Sequence, residues 1–590
     1  MSWKKLFRHH DPTPEKVTPI ISTPEENVTP APSEDNRVKV LAVEAEVADV
    51  KREEKEKDHK LKPGLLTVKV YYARQLAIPL PLRINKPILH KLASLGQHID
   101  ESHLNAQIDA LDDSSLSRTN IAQLLPSTLK ISAPEISYYN LVYAVIEVEN
   151  SSERIPSQGS TVSDTKFNTV TTFDITSPNN AILSVQIYVR IPGSLLDSDH
   201  QEDHLIGSFS YKLSDVLSRH SLTGPTRLLD HGWLNLKNPY SNEDIDGALN
   251  ITLDFKPLSL EKQLTIDDFE LLQVIGKGSF GKVMQVKKKD TGKIYALKSI
   301  RKAHIVNKME VTHTLAEKFV LSRVNSPFIV PLKFAFQSTD KLYFVLSFVN
   351  GGELFYHLQQ VRHFPLIRAK FYICELLSAI STLHGLNIVY RDLKPENILL
   401  DYQGHIALCD FGLCKINMKN DQKTNTFCGT PEYLAPELLL SKGYTRVVDF
   451  WTIGVLLYEM ITSLPPFYDE DVNKMYQKIL KAPLTFPDYV DSVTSDLIKK
   501  LLNRNPDERL GANGVEEIKS HPFFKDIDWE KLDSKGYIPP FRPHVKDASD
   551  IGNISKEFTM EKPLDSVVDE VLSESVQKQF GGWTYVGSFN

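Results

Sequence analysis

The chain has 590 residues, 41% apolar and 24% charged, with a formal net charge of −7. That length exceeds what one hydrophobic core serves, so two or more domains with linkers are expected. The negative balance argues against bulk nucleic-acid binding, and no apolar run reaches the roughly 18 residues that span a bilayer.

Residues 1–62 are rich in Pro, Glu, Lys, Ser and Thr, with almost no aromatics after Phe7. Such a segment buries too little apolar surface to offset its ordering entropy and is expected to be disordered. Its Thr-Pro pairs begin at Thr13, Thr18, Thr23 and Thr29. They read either as turn-rich linker or as sites of Pro-directed phosphorylation. The opening Met1-Ser2-Trp3-Lys4-Lys5 turns polar at once, unlike a secretory signal, and Ser2 is not the glycine that myristoylation needs. Cys374, Cys409, Cys414 and Cys428 form no C-x-x-C pair, so they read as reduced thiols of a cytoplasmic protein.

Residues 63–257 change character. Leu66, Val68, Val70 and Tyr72 alternate, as do Val185, Ile187 and Val189, and Leu249, Ile251, Leu253 and Phe255; Val145 and Val148 do so less strictly. Period-two runs broken by turn residues predict a β-sandwich. The run Pro63-Gly64-Leu65-Leu66-Thr67-Val68-Lys69-Val70 and the later Leu205-Ile206-Gly207-Ser208-Phe209 resemble strands of C2 domains, with a helical or mobile insertion near 90–135. Calcium-binding C2 domains gather carboxylates from two loops. Asp197, Asp199 and Asp203 could supply one, but Ala73-Arg74-Gln75-Leu76-Ala77-Ile78 supplies none. A calcium-independent module for scaffold docking or membrane contact is expected.

The region 269–524 carries the chemistry, with strands from Phe269 to Phe348, one helix around Glu317, and mostly helix beyond. In Ile275-Gly276-Lys277-Gly278-Ser279-Phe280-Gly281-Lys282-Val283, glycines without Cβ atoms let the backbone approach phosphates. The strand-like Met284-Gln285-Val286 that follows separates this loop from dinucleotide folds, which place a helix there. Lys298, after Tyr295-Ala296-Leu297, sits in an apolar strand and needs a partner for its charge; Glu317 is the candidate. Tyr390-Arg391-Asp392-Leu393-Lys394-Pro395-Glu396-Asn397 and Asp410-Phe411-Gly412 follow.

In this order the motifs resemble those of protein kinases, which implies a bilobal α+β fold using ATP and Mg²⁺. The resemblance gives Lys298 and Glu317 a phosphate-gripping ion pair, and Asp392 the role of catalytic base with Lys394 beside the transferred phosphoryl. Asn397 and Asp410 become Mg²⁺ ligands. It implies that Ile275, Val283, Ala296 and Leu399 enclose adenine, with backbone groups of Ser347 and Val349 beneath a Leu346 gatekeeper. It pairs Glu437 with Arg509, and has Asp449 cap the catalytic loop. Lys394 and Gly429-Thr430 mark serine/threonine rather than tyrosine kinases.

Thr426-Phe427-Cys428-Gly429-Thr430-Pro431-Glu432-Tyr433 is similar to the AGC group. So is the tail 525–590, with Ile538-Pro539-Pro540-Phe541, Glu557-Phe558-Thr559 and Phe580-Gly581-Gly582-Trp583-Thr584-Tyr585. Within that group the chain resembles the fungal yeast-protein-kinase subgroup, relatives of the serum- and glucocorticoid-regulated kinases. This implies activation by phosphates on Thr426, from a phosphoinositide-dependent-kinase relative, and on Ser566 and Thr584, through target-of-rapamycin complex two. Ser573 and Ser575 are near alternatives to Ser566. Phe580 and Trp583 would insert in a small-lobe groove beside the Glu317 helix. Glu353 and Glu396 would read substrates of the form R-x-R-x-x-S/T, since carboxylates pair bidentately with guanidinium, and Thr430 would also contact the substrate. Recruitment to the plasma membrane is a further expectation.

Overall fold

The computed structural model describes residues 61–76, 142–158, 165–191, 202–220, 224–237, 243–258, 263–278, 281–418, 424, 426, 428–565 and 572–587, with positions 90, 106, 109 and 110. The expected disordered segment 1–62 and most of the 90–135 insertion lie outside the described residues, apart from 61 and 62 and those isolated positions, of which 90, 106 and 109 are helical.

Eight antiparallel strands form the first domain: β1 (Gly64–Arg74), β2 (Val142–Val148), β3 (Ser151–Pro156), β4 (Thr165–Ile175), β5 (Ile182–Ile191), β6 (Glu202–Lys212), β7 (Thr226–Lys237) and β8 (Asp244–Pro257). Their order is β3-β2-β5-β6-β7-β8-β1-β4, and β6 meets β7 at the single pair Ser208–Lys237. The sheet is continuous but narrows to that one pair, so its two four-stranded halves can fold face to face over one core. Alternation decides the core: Leu66, Val68 and Val70 on β1 and Ile251, Leu253 and Phe255 on β8 bury against Ile146, Val148, Val185 and Ile187.

β2 explains its own loose alternation. Its inner face feeds that core, while Tyr143 and Val145 on the opposite face join Tyr188 beneath Tyr402 of the second domain. A strand buried on both sides loses its period-two signature.

The second domain has a small lobe and a large lobe. The small lobe is the sheet β12-β13-β11-β10-β9, made of β9 (Phe269–Gly278), β10 (Gly281–Lys288), β11 (Ile294–Arg301), β12 (Leu332–Gln337) and β13 (Lys341–Ser347). It carries the Val311–Arg323 helix that holds Glu317. A second, six-residue helix, Lys302–Asn307, was not expected; its apolar content is too short to show a helical period. The large lobe packs the Leu366–Gly385 and Val448–Thr462 helices, both apolar over most of their surface, at its centre. The hairpin of β14 (Ile398–Leu400) and β15 (Ile406–Leu408) lies at the cleft.

The sandwich contacts both lobes. On the small lobe, Lys333 pairs with Glu149 at 2.8 Å, the Tyr295 phenol donates to Asp174 at 2.6 Å, and Lys293 reaches Glu153 at 2.5 Å and Thr171 at 2.6 Å. On the large lobe, the Tyr402 phenol donates to Glu147 at 3.1 Å and the Gln403 amide to Gln186 at 2.6 Å. Lys333, Tyr295, Asp174, Lys293 and Thr171 are buried, so each needs its partner.

The calcium question turns on Asp203, which lies in β6 rather than in a loop and takes a bidentate bond from Arg190 at 2.7 and 2.8 Å. Burial opposes its charge, but Arg190 outweighs burial and lowers its pKa. Asp197 and Asp199 lie outside the described residues. Calorimetric titration with calcium should show no tight stoichiometric binding, and a clear one-to-one isotherm would contradict this.

Candidate active site

Sheet register assembles one face of the cleft. Val283 pairs with Lys298, and Ala296 with Leu346; cross-strand partners share a face. Val274, Met284 and Leu297 point the other way, into the small-lobe core. Ile275, Val283 and Leu399 stay half-buried, bordering the cleft rather than filling a core. At the end of β13 the Ser347 amide is taken by the Pro331 carbonyl at 3.1 Å. Ser347 can therefore offer only its carbonyl, leaving an N–H to Val349.

The glycine loop joins β9 to β10, where Gly278 pairs with Gly281. A Cβ on Gly281 would lie 1.7 Å from the Ser299 carbonyl oxygen, whereas one on Gly278 would meet nothing within 4 Å. Gly281 is thus required by the sheet, and Gly278 leaves space in which phosphates can approach the backbone. Lys277 and Lys282 both pair with Glu561 of the tail, at 2.6 and 2.5 Å. Ser279 and Phe280 lie outside the described residues.

Beneath the loop, the Lys298 ammonium contacts Glu317 at 2.7 Å and Asp410 at 3.6 Å. Burial works against the Lys298 charge, but the two carboxylates prevail and raise its pKa. The Lys298 charge in turn holds Asp410 below the usual carboxylate range. Asp410 has φ +56°, left-handed backbone that turns its half-exposed carboxylate toward the cleft.

The catalytic loop is fixed from below. Asp449, fully buried, accepts the amides of Tyr390 at 3.0 Å and Arg391 at 2.9 Å, and the His384 ring at 2.8 Å. Asp392 stands above it: Lys394 lies 2.9 Å from one carboxylate oxygen, and the Thr430 hydroxyl donates to the other at 3.1 Å. Lys394 also reaches Thr430 at 3.2 Å. Asn397 Nδ2 donates to the Asp392 carbonyl at 2.8 Å and to its carboxylate at 2.9 Å. With Nδ2 so committed, Oδ1 is the amide atom left for a cation. An amide oxygen and the Asp410 carboxylate are hard donors of the kind Mg²⁺ takes. Farther out, Arg509 forms a bidentate pair with Glu437 at 2.7 and 2.8 Å, both fully desolvated.

A protein kinase domain family model matches residues 269–524, and a protein kinase C terminal domain model matches 545–585. The serine/threonine-protein kinase YPK1 of Saccharomyces cerevisiae is 52% identical over 563 residues, covering 89% of this chain and 81% of its own length. The serine/threonine-protein kinase gad8 of Schizosaccharomyces pombe is 49% identical, with 89% and 85% covered. The serine/threonine protein kinase ypkA of Aspergillus fumigatus is 51% identical, with 75% and 72% covered. The chain is a serine/threonine protein kinase of the fungal YPK subgroup of the AGC group.

The tail of this AGC kinase places Phe580 and Trp583 in the main core. The Phe580 ring lies 5.2 Å from the Lys302 ammonium, and Trp583 packs on Phe344 at 4.9 Å between ring centres. Lys318, next to Glu317 on its helix, donates to the Gly582 carbonyl at 2.5 Å. Thr584 remains exposed. Ser566 lies outside the described residues; Ser573 precedes a short helix, Glu574–Gln577.

At the activation segment Arg391 and Thr426 are linked through Tyr444. Arg391 donates to the Leu413 carbonyl at 2.6 Å, the Tyr444 hydroxyl at 2.8 Å and the Cys414 carbonyl at 3.4 Å. The Tyr444 hydroxyl donates to the Thr426 carbonyl at 2.8 Å. Main-chain carbonyls thus hold the guanidinium, and Tyr444 bridges it to the Thr426 backbone.

Sequence reasoning passed over Glu459. This buried carboxyl on the Val448–Thr462 helix accepts the Tyr433 hydroxyl at 2.6 Å. Burial pushes its pKa up to about 8, with Glu396 and Glu432 adding to the effect and the Tyr433 bond opposing it. Glu353 is pushed up to about 7 by burial and then by Glu396. Glu396 is itself raised by burial, and its Oε2 is buried without a hydrogen-bond partner. Among the described residues none of the three forms an ion pair with lysine or arginine. Glu459 sits in an apolar helical stretch, Leu456-Leu457-Tyr458-Glu459-Met460, where an acid has no fold-building purpose; that was the available signal.

Asp392→Ala should reduce single-turnover transfer from labelled ATP by roughly 10²–10⁴-fold, the usual contribution of a positioned acid–base group. Transfer at the parental rate would remove Asp392 from the chemistry.

Proposed function

We propose that this kinase phosphorylates serine and threonine in substrates carrying arginines upstream, of the form R-x-R-x-x-S/T. The carrying observation is the trio Glu353, Glu396 and Glu459: carboxyls largely withdrawn from water, Glu396 repelling both others, and none in an ion pair with lysine or arginine among the described residues. Arginine supplies the missing charge and a planar donor fork.

In the reaction the acceptor hydroxyl donates to Asp392, as the Thr430 hydroxyl does in the free enzyme. The oxygen attacks the γ-phosphorus of ATP, Asp392 takes the proton, and the bond to the bridging oxygen breaks to release ADP. Lys298, held by Glu317, grips the α- and β-phosphates, and Lys394 stands at the transferred group. Asn397 and Asp410 hold Mg²⁺, which supplies charge neutralisation on the phosphates when bound. Ser347 and Val349 take adenine by backbone groups, between Ile275, Val283, Ala296 and Leu399.

Activity is set by three phosphates. One on Thr426 competes for Arg391 against neutral carbonyls, and charge-assisted bonds are the stronger. Those on Thr584 and Ser566 fasten the tail. The upstream enzymes are a phosphoinositide-dependent-kinase relative and target-of-rapamycin complex two. The C2-like sandwich serves a cytoplasmic enzyme by contact with a scaffold or the plasma membrane.

The acids make recognition pH-dependent. In the free enzyme Glu353 and Glu459 are partly protonated near neutrality, and an arginine binds the ionised forms. KM for an R-x-R-x-x-S peptide should fall as pH rises from about 6 to 8.5, and Glu459→Gln should flatten that response. A peptide array indifferent to arginine would refute the specificity. For the tail, Thr584→Ala should lower activity severalfold, and Phe580→Ala with Trp583→Ala further, since each large buried side chain contributes about 3–5 kcal/mol to docking. Parental activity in the double variant would refute the docking role.

A further inference from the structure

We propose that the tail segment Tyr585–Gly587 is seated jointly by the small lobe and the β-sandwich, which makes the sandwich the far wall of the groove that holds the hydrophobic motif. The seat is an interaction surface whose partner is the chain's own tail segment.

The first contact is backbone addition. β12 is the edge strand of the small-lobe sheet. Ala335 and Tyr585 exchange both amide bonds, at 2.9 and 2.8 Å, so the tail extends the sheet by one antiparallel rung. The second contact is apolar. Val586 packs against the cluster that contains Tyr295, Phe334 and Phe336. The phenol of Tyr295 is the group that donates to Asp174 of the sandwich at 2.6 Å.

The third contact is with the sandwich itself. Gly587 has φ +99°, and a Cβ there would lie 2.2 Å from the Thr176 carbonyl oxygen and 2.7 Å from its Cα. The tail backbone thus lies directly on the sandwich backbone, and only glycine fits. That stretch of sandwich is held in place by Glu149. Its carboxylate accepts the Thr176 amide at 3.0 and 3.1 Å, the Thr176 hydroxyl at 2.8 Å and the Ser177 amide at 2.6 Å. Glu149 pairs in turn with Lys333, whose side chain is 0% exposed. Lys333 is two residues from Ala335 on β12.

The contacts therefore close a ring: tail to β12, β12 through Lys333 to Glu149, Glu149 to Thr176, and Thr176 back to the tail at Gly587. Members of such a ring are linked, so seating the tail must steady the sandwich turn, and the turn must steady the tail by the same factor.

Hydrogen exchange tests this in the full-length protein. Three forms are compared: the parent, a chain ending at Thr584, which keeps Phe580 and Trp583, and the full chain with Gly587→Val. The Thr176 and Ser177 amides should exchange about tenfold faster in both altered forms, while the Ile251 and Leu253 amides in the sandwich core keep the parental rate. Glu149→Gln should conversely speed exchange at Tyr585. The proposal is overturned if Thr176 and Ser177 exchange at the parental rate in both altered forms. It is equally overturned if Ile251 and Leu253 accelerate as much as they do, since the change would then be global.

Discussion

The ion pair between Lys298 and Glu317 is the contact to which most of the molecule answers. A lysine in the middle of a β-strand loses hydration that only a close carboxylate replaces. That carboxylate sits on a helix with little intrinsic stability, so the helix must be held by what packs around it. Lys318 on the same helix reaches the backbone at Gly582, and Phe580 and Trp583 fill the space beside it. A tail far along the chain thus packs against the helix that gives a charge in the active site its partner.

The catalytic loop answers to a different buried acid. Asp449 accepts two successive amides at Tyr390 and Arg391, and Arg391 is held at φ +71°. Backbone in the left-handed region is costly for a side-chain-bearing residue and persists only where its surroundings over-determine it. Asp449 supplies that constraint on one side, and the bonds of the Arg391 guanidinium supply it on the other.

The phosphate-handling site was legible because its residues are chemically odd for their setting: glycines in a strand turn, a lysine in an apolar strand, acids spaced through a loop. The sandwich core was legible from alternation in β1, β5 and β8. β2 was not, since its second face is covered by Tyr402, and no local pattern announces a partner distant in sequence. The Lys302–Asn307 helix is too brief to show a period. Glu459 hid inside an apolar helix, where a single acid looks like an irregularity until Glu396 and Glu353 are seen to share its environment. The Tyr444 bridge between Arg391 and Thr426 depends on a tyrosine that carries no motif of its own.

The trio Glu353, Glu396 and Glu459 has a consequence for the lifetime of the protein. Like charges gathered in a buried place make the substrate-free enzyme less stable as their protons leave, with folded-state values raised above the ordinary 4.5 of a glutamate. On the specificity proposed above, an arginine-bearing peptide would remove that repulsion on binding, and a ligand that favours the folded state shifts the folding equilibrium by mass action. Client proteins would then act as stabilisers of the enzyme that modifies them. A cell rich in unmodified clients would keep more of this kinase folded than one whose clients are already phosphorylated and released, which would couple the abundance of the enzyme to the work left for it to do.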